Sequence, residues 1–509
     1  MDPSPATAHI AELDVRALLE TIVSGHLSST ESVECYLQRI EEIDKSGPTL
    51  HAVIETNPDA ISIAKRLDAE RAEGRLRSPL HGIPVLLKDN IDTADRLLTT
   101  AGSMALTANR PFVDAPLVTR LRQAGVIILG KANMSEWANF RSTRPLSGWS
   151  ARGGLCLNPH ALDRTAGGSS SGCAAGVAAG LAPLAVGTET VGSIVCPASL
   201  CGVVGIKPTV GLVTRAGIVP ISHTQDTAGP LARTVFDAAL LLGELAGSDP
   251  SDEVTFAPDR IVHADYTRYC TLDGVRGLRV GLPRTGLWGY HEQADTWAEA
   301  AVRALATHGV DVVDPANLPS AVELVDLDDD LVVLTTEFKA GIKAYLSRRG
   351  PGTPKDLGEL IEFNEAHANV ELQYFGQERF EQAVRSPGLD DLRYRAALET
   401  CRRLGRTDGI DAALQTHDLD ALVMPAYPPA DKVNFMEDGR YGGGSCSRPS
   451  AMAGYPQVTV PCGTIDGLPV GIAFAGTAWS EPTLIKLAYV VEQALRRDLR
   501  PEYRPPQPD

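Results

Sequence analysis

Apolar positions near the start of the chain recur with a helical period. Ser28-Ser29-Thr30-Glu31 has the spacing of a capping box, and behind it Val33, Tyr36, Leu37, Ile40 and Ile43 share one helical face. A second helix is predicted over Asp59 to Glu73. The period then breaks. Ile83 to Leu87 is a short, almost uninterrupted apolar run and reads as a buried strand. Val113 to Ala124 returns to the helical pattern, Gly125 ends it, and Val126 to Leu129 reads as the next strand. The same helix–glycine–strand phrase comes back at Trp297 to Thr307, Gly309 and Val310 to Val313. Further strands are predicted at Leu278 to Leu282, Leu419 to Met424, Gln457 to Val460 and Val470 to Phe474, and a last helix at Pro482 to Arg497. Asp326 to Leu414 is charged, helical and poor in strand signals; it reads as a helical excursion lying over the core. The Pro-rich end, Pro501 to Asp509, is expected to pack loosely. Alternation of this kind predicts an α/β protein with a largely parallel or mixed sheet.

Composition narrows the function classes. At 509 residues the length prior is about three domains, although large α/β enzymes often exceed it. A hydrophobic share of 43% is enough for a large core. The net charge of −17 argues against a nucleic-acid partner or an anionic membrane surface. No uncharged apolar run reaches the roughly 18 residues of a membrane span, and the first residues carry neither a basic patch nor an apolar signal region. The nine cysteines are scattered, with no C-x-x-C pair, and read as mostly reduced thiols in a cytoplasmic protein.

The candidate chemistry lies in two glycine- and serine-rich stretches. Ala166-Gly167-Gly168-Ser169-Ser170-Ser171-Gly172-Cys173 is followed by Gly187-Thr188-Glu189-Thr190-Val191-Gly192-Ser193-Ile194, and a run of small apolar residues joins them. Ser169 and Ser193 lie 24 positions apart. A serine hydroxyl needs a base before it attacks, and successive N–H groups of Thr190, Val191, Gly192 and Ser193 suit a developing oxyanion. Taken singly, each stretch reads as a loop. Taken together, downstream of Lys88, they read as a nucleophilic hydrolase site without histidine. Lys88 closes the apolar run at Ile83. A Lys-Asp-Asn triplet after a strand is equally a solvated turn, but on a central strand the ammonium would be desolvated and its pKa lowered, as a base requires. Asp89 acts in the other direction, and strand alternation places it on the opposite side.

Other motifs weigh less. Gly168-Ser169-Ser170-Ser171-Gly172 matches G-x-S-x-G, but that elbow needs a strand directly before it, and Asn158 to Thr165 reads as a loop. No phosphate-cradling P-loop and no metal-ligand spacing occur, so the reading calls for no cofactor and no metal. His223 is a candidate triad histidine for Ser193, with a loop histidine as the commoner reading. Lys207 reads as structural.

At these residues the chain resembles the amidase signature family. The resemblance rests on His81-Gly82-Ile83-Pro84 through Lys88-Asp89-Asn90, on Gly167-Gly168-Ser169-Ser170, on Gly187 to Ile194, and on Cys201-Gly202-Val203-Val204-Gly205-Ile206-Lys207-Pro208-Thr209. It is specific from about residue 80 to 246 and continues more weakly through Tyr455 to Pro461 and Asp466 to Gly471. It implies one α/β domain over residues 1–509, a mixed central sheet surrounded by helices. It implies Ser193 as nucleophile, Ser169 as relay after a cis peptide at Gly168, and Lys88 as base. Within the family the chain is similar to the peptide amidase branch through Ser135 to Phe140, Ser147 to Gly154 and Pro208 to Gly229. That branch cleaves peptide C-terminal carboxamides. Carbamate, ester and aryl-acylamide hydrolysis, or the glutaminase component of an amidotransferase, are the alternatives. The implied partner is a small-molecule or short peptide amide, and the expected state a monomer or homodimer. Two departures bear on the pocket. Val191 stands where glycine or aspartate is usual, and Glu189 replaces a common aspartate.

Overall fold

The computed structural model describes residues 10–325, 327–435, 444–495 and 499–506. Eleven strands build one sheet: β1 (Val53–Thr56), β2 (Pro84–Lys88), β3 (Ile127–Ala132), β4 (Leu184–Glu189), β5 (Val204–Lys207), β6 (Thr227–Ala232), β7 (Arg279–Gly281), β8 (Asp311–Val313), β9 (Ala421–Pro425), β10 (Gln457–Ile465) and β11 (Leu468–Ala475). Their spatial order is β1-β3-β2-β4-β6-β5-β10-β11-β9-β7-β8. β2 runs parallel to β3 and β4, and β7 runs parallel to β8 and β9. The other pairings are antiparallel, so the sheet is mixed. Strands drawn from residue 53 to residue 475 share this sheet, which makes one large domain rather than three. Among the described residues no helix is long and apolar enough to cross a membrane.

Local chemistry explains most of the elements. Ser28 Oγ accepts from Glu31 N at 3.1 Å while Glu31 Oε2 accepts from Ser28 N at 2.8 Å, so the capping box opens helix Ser29–Arg39. The helix expected from Val113 starts instead at Pro116, in the first-turn position that proline favours; Val113 is exposed. Asp466 and Gly467, both with positive φ (50° and 74°), join β10 to β11 in a two-residue hairpin, where Ile465 faces Leu468.

Four strands carry no clear sequence signal: β1, β4, β5 and β6. β4 (LAVGTE) and β6 (TAGPLA) are buried at every position, so they lack the polar–apolar alternation of a half-exposed strand. Their alanines and glycines also have low strand propensity. Two further expectations change. Ala161–Thr165 is a short strand paired with Leu157–Asn158, in place of the loop expected before Gly168. The C-terminal stretch is not loose as far as residue 506: Tyr503 N donates to Pro159 O, Leu162 N to Arg504 O, and Arg504 Nε to His160 O, at 2.8–3.0 Å. Residues 507–509, like Arg496 and Arg497 at the end of the expected last helix and Asp326 at the start of the expected excursion, fall outside the described residues.

Residues 329–417 form helices, among them Asp329–Leu346, Leu357–Ala366, Glu378–Val384 and Leu392–Gly405. Phe338, Ile342, Leu360 and Phe380 from this segment pack with Trp137 and Phe140 in a second apolar cluster. The segment thereby closes over the side of the sheet where β2 and β4 end.

Candidate active site

Lys88 is the last residue of β2. β2 and β4 are parallel neighbours with Leu87 opposite Val186, so the carboxyl ends of both strands open on the same side. β4 passes into the Thr190–Ser193 turn and then α1 (Val195–Cys201). Ser169 arrives from the other glycine-rich stretch, which feeds helix Ser171–Ala178. The Gly168–Ser169 peptide bond is cis, as the resemblance implied.

Lys88 is fully buried. Its Nζ lies 2.8 Å from Ser169 Oγ, 3.1 Å from Thr188 O and 2.9 Å from Thr188 Oγ1. Burial lowers its pKa from 10.5 to about 7, against the opposing influence of Cys173, Glu189 and Asp226. A neutral amine has two hydrogens and one lone pair. Thr188 O can only accept, and Thr188 Oγ1 supplies a second oxygen within reach. With both hydrogens spent on Thr188, the lone pair faces the Ser169 hydroxyl. Asp89, one residue on, turns away: its Oδ1 accepts from Arg152 at 3.1 Å and its Oδ2 from Gly102 N at 3.2 Å.

The loop before α1 is held from several sides. Glu189 Oε2 accepts from Ile194 N at 2.7 Å and Val195 N at 3.1 Å, immediately after Ser193. Ser170 N donates to Ser193 O at 3.1 Å, which ties the two glycine-rich stretches together. Gly192 has φ 78°, and a Cβ there would meet Tyr427 Oη at 2.3 Å; only glycine fits both constraints. Val191 is not among the positive-φ residues, and the residue is 38% exposed. Thr190 Oγ1 donates to Asp226 Oδ1 at 2.5 Å. Ser193 is 8% exposed and Ser169 is fully enclosed, so only the first is reached from outside. Among the described residues no hydrogen bond joins Ser193 Oγ to Ser169 Oγ. Such contacts often tighten only when substrate is bound.

The competing candidates lie elsewhere. His223 is half exposed, with Nδ1 3.5 Å from Glu337 Oε2 and no hydrogen bond to Ser193. Lys207 Nζ donates to Tyr455 O at 2.5 Å. Ser170, the middle serine of G-x-S-x-G, donates Oγ to Thr188 O at 3.0 Å; the strand before it belongs to a separate two-stranded pair, so the elbow geometry is absent for that reason. Among the described residues no three His, Cys, Asp or Glu side chains gather as a metal would require, and all nine cysteines are free thiols. Sequence reasoning missed Thr188 and Asp226. The contact of Thr188 with Lys88 was not legible from spacing, because it depends on the β2–β4 register, in which Leu87 faces Val186. Asp226 was not legible either, because its place depends on the β4–β6 register.

A cavity of about 220 Å³ opens beside Thr188 and Thr190; Asn90, Ile218, Ile221 and Tyr345 also line it. The family model described as Amidase matches residues 31–485. The chain belongs to the amidase family. It is 40% identical over 498 residues to a probable amidase of Arabidopsis thaliana, covering 96% of this chain and 91% of that one. It is 35% identical over 488 residues to a glutamyl-tRNA(Gln) amidotransferase component of Chloroflexus aurantiacus, covering 93% and 95%. Among solved structures, the native peptide amidase of Stenotrophomonas maltophilia superposes with a TM-score of 0.91 at 50% identity, covering 97% of this chain and 99% of that one. A complex of a peptide amidase with the competitive inhibitor chymostatin gives a TM-score of 0.93, also at 50% identity, covering 97% and 100%. This amidase is an amide hydrolase of the amidase signature fold.

Proposed function

We propose that this amidase cleaves the C-terminal carboxamide of short peptides through an acyl-enzyme on Ser193. The observation that carries the reading is the desolvated Lys88 amine, its Nζ 2.8 Å from Ser169 Oγ and within 3.1 Å of two Thr188 oxygens. Lys88 takes the proton of Ser169 Oγ as Ser169 takes that of Ser193 Oγ. The Ser193 oxygen bonds to the amide carbon, and the N–H groups of the Thr190–Ser193 turn hold the resulting oxyanion. The stored proton returns through Ser169 to the leaving nitrogen, the C–N bond breaks and ammonia departs. Water then repeats the sequence on the ester, releasing the carboxylic acid and restoring Ser193.

Support for a peptide substrate comes from the 50% identity to peptide amidases, one of them bound to chymostatin. The amidotransferase relative at 35% identity favours a second reading, a glutaminase that passes ammonia to a partner. One panel separates the two: peptide amides, anilides, esters, carbamates and glutamine, each offered to the purified chain alone. Ammonia release from peptide amides, with a Ser193 acyl adduct seen by intact mass, supports the proposal. Turnover confined to glutamine, or preferred cleavage of esters or carbamates, overturns it.

A further inference from the structure

β6 runs antiparallel to β4 with Thr227 opposite Glu189, so the residue before β6 comes to lie beside the residue after β4. These are Asp226 and Thr190. Asp226 Oδ1 accepts from Thr190 Oγ1 at 2.5 Å, and Oδ2 accepts from Ile221 N at 2.8 Å and Ser222 N at 2.9 Å. One carboxylate therefore joins the Thr190 turn to the 218–221 wall of the cavity. That wall has its own anchor. Ser222 Oγ donates to Glu337 Oε2 at 2.5 Å and Thr224 N to the same oxygen at 3.1 Å, while Tyr394 Oη donates to Glu337 Oε1 at 2.7 Å. Glu337 belongs to α2 (Asp329–Leu346), so the chain of contacts runs from the Thr190 turn to the helical segment.

We infer that Asp226 is a positioning residue of the amide-cleaving site: through Thr190 Oγ1 it fixes the start of the turn whose N–H groups meet the oxyanion, and it ties that turn to the cavity wall. The inference rests on the reading of Ser193 as nucleophile. Three acceptor contacts on one carboxylate define a position more narrowly than a single bond does, and misplacement by about 1 Å at such a turn costs on the order of a hundredfold in rate. Asp226 acts on the base as well. Its negative charge, with that of Glu189, favours the protonated form of Lys88, while burial opposes it. Burial pushes Asp226 itself up to about 6, moderated by its three hydrogen bonds and by Arg215.

Two roles give two separable signatures. Thr190→Val breaks the link and keeps the charge; it is expected to lower kcat by about ten- to a hundredfold with KM nearly unchanged and the pH profile in place. Thr190→Ser retains the hydroxyl and should restore most of the rate. Asp226→Asn keeps the shape and removes the charge; its kcat should fall, and the rising limb of kcat/KM should move to lower pH because Lys88 loses its proton more readily. In the Thr190→Val/Asp226→Asn double variant the loss should be no greater than that of the worse single variant. Ser193→Ala, assayed alongside, separates the two levels of the argument. If Ser193→Ala is inactive but the Thr190 and Asp226 losses multiply and the limb stays fixed, the positioning role is wrong and the site reading stands. If Ser193→Ala keeps wild-type turnover, both fall.

Discussion

Lys88 Nζ reaches Thr188 at two atoms, the carbonyl oxygen at 3.1 Å and Oγ1 at 2.9 Å. Thr188 Oγ1 also accepts from Asn90 Nδ2 at 3.0 Å. Threonine is thus the residue that orients the amine, and Asn90 in turn holds the threonine. Thr188→Val keeps the shape and removes the hydroxyl. The lysine then has a hydrogen to direct elsewhere, and kcat/KM is expected to fall by about tenfold, the worth of one hydrogen bond in the transition state. Thr188→Ser should recover it. Steady-state kinetics of the two variants check this; equal losses in both would show that packing, not the hydroxyl, matters.

Ser193→Ala and Ser169→Ala should each lose several orders of magnitude in kcat, roughly a thousandfold or more, while circular dichroism and Tm stay near wild type. They differ in one respect. Ser193→Ala can form no acyl adduct, whereas Ser169→Ala retains the oxygen that carries it and should accumulate label slowly from an activated ester. Mass spectrometry distinguishes them, and a labelled Ser193→Ala would remove that residue from the nucleophile role.

The base must be neutral to act, so kcat/KM should rise with pH through about 7 and then level off. Lys88→Ala should abolish that limb with the activity, and Lys88→Arg should fail because arginine stays charged. A working Arg variant would refute lysine as the base.

The same residue predicts a stability effect of definite sign. The folded pKa of about 7 lies below the usual 10.5, so between these values the unfolded chain carries the extra proton and wild-type stability rises with pH. Lys88→Met lacks this slope. The difference in Tm between the two proteins should shift toward wild type as pH climbs from 7 to 10.5, and stay flat below 7. Thermal melts across that range test it; a constant difference would mean that Lys88 is already neutral in the unfolded chain or charged in the folded one.

Val191 is 38% exposed on the turn proposed to hold the oxyanion. Val191→Asp is expected to weaken amides with apolar acyl groups relative to polar ones by about 1–3 kcal/mol in kcat/KM. Uniform losses over a substrate series would instead report distortion of the turn.

Much of this molecule was legible in its sequence because the information was local. The capping box at Ser28, the glycine stop at Gly125, the strand Ile83 to Leu87 and the two glycine-rich stretches are each set by residues within a few positions of one another. The desolvation of Lys88 was legible only on condition that its strand is central, which the sheet order decides by setting β2 between β3 and β4. The family resemblance also lived in such short segments. What the sequence alone did not reveal lies in the centre of the sheet. β4 and β6 are buried on both faces and rich in alanine and glycine, so no alternation announces them. Pairing two such strands is a decision of the whole core, made by burial on both faces of the sheet. The β2–β4 pairing brings Thr188 to Lys88 across 100 positions, and the β4–β6 pairing brings Asp226 to Thr190 across 36. The sequence determined which groups were available for chemistry; the tertiary structure decided which of them touch, because contact between distant residues follows from strand register rather than from spacing along the chain.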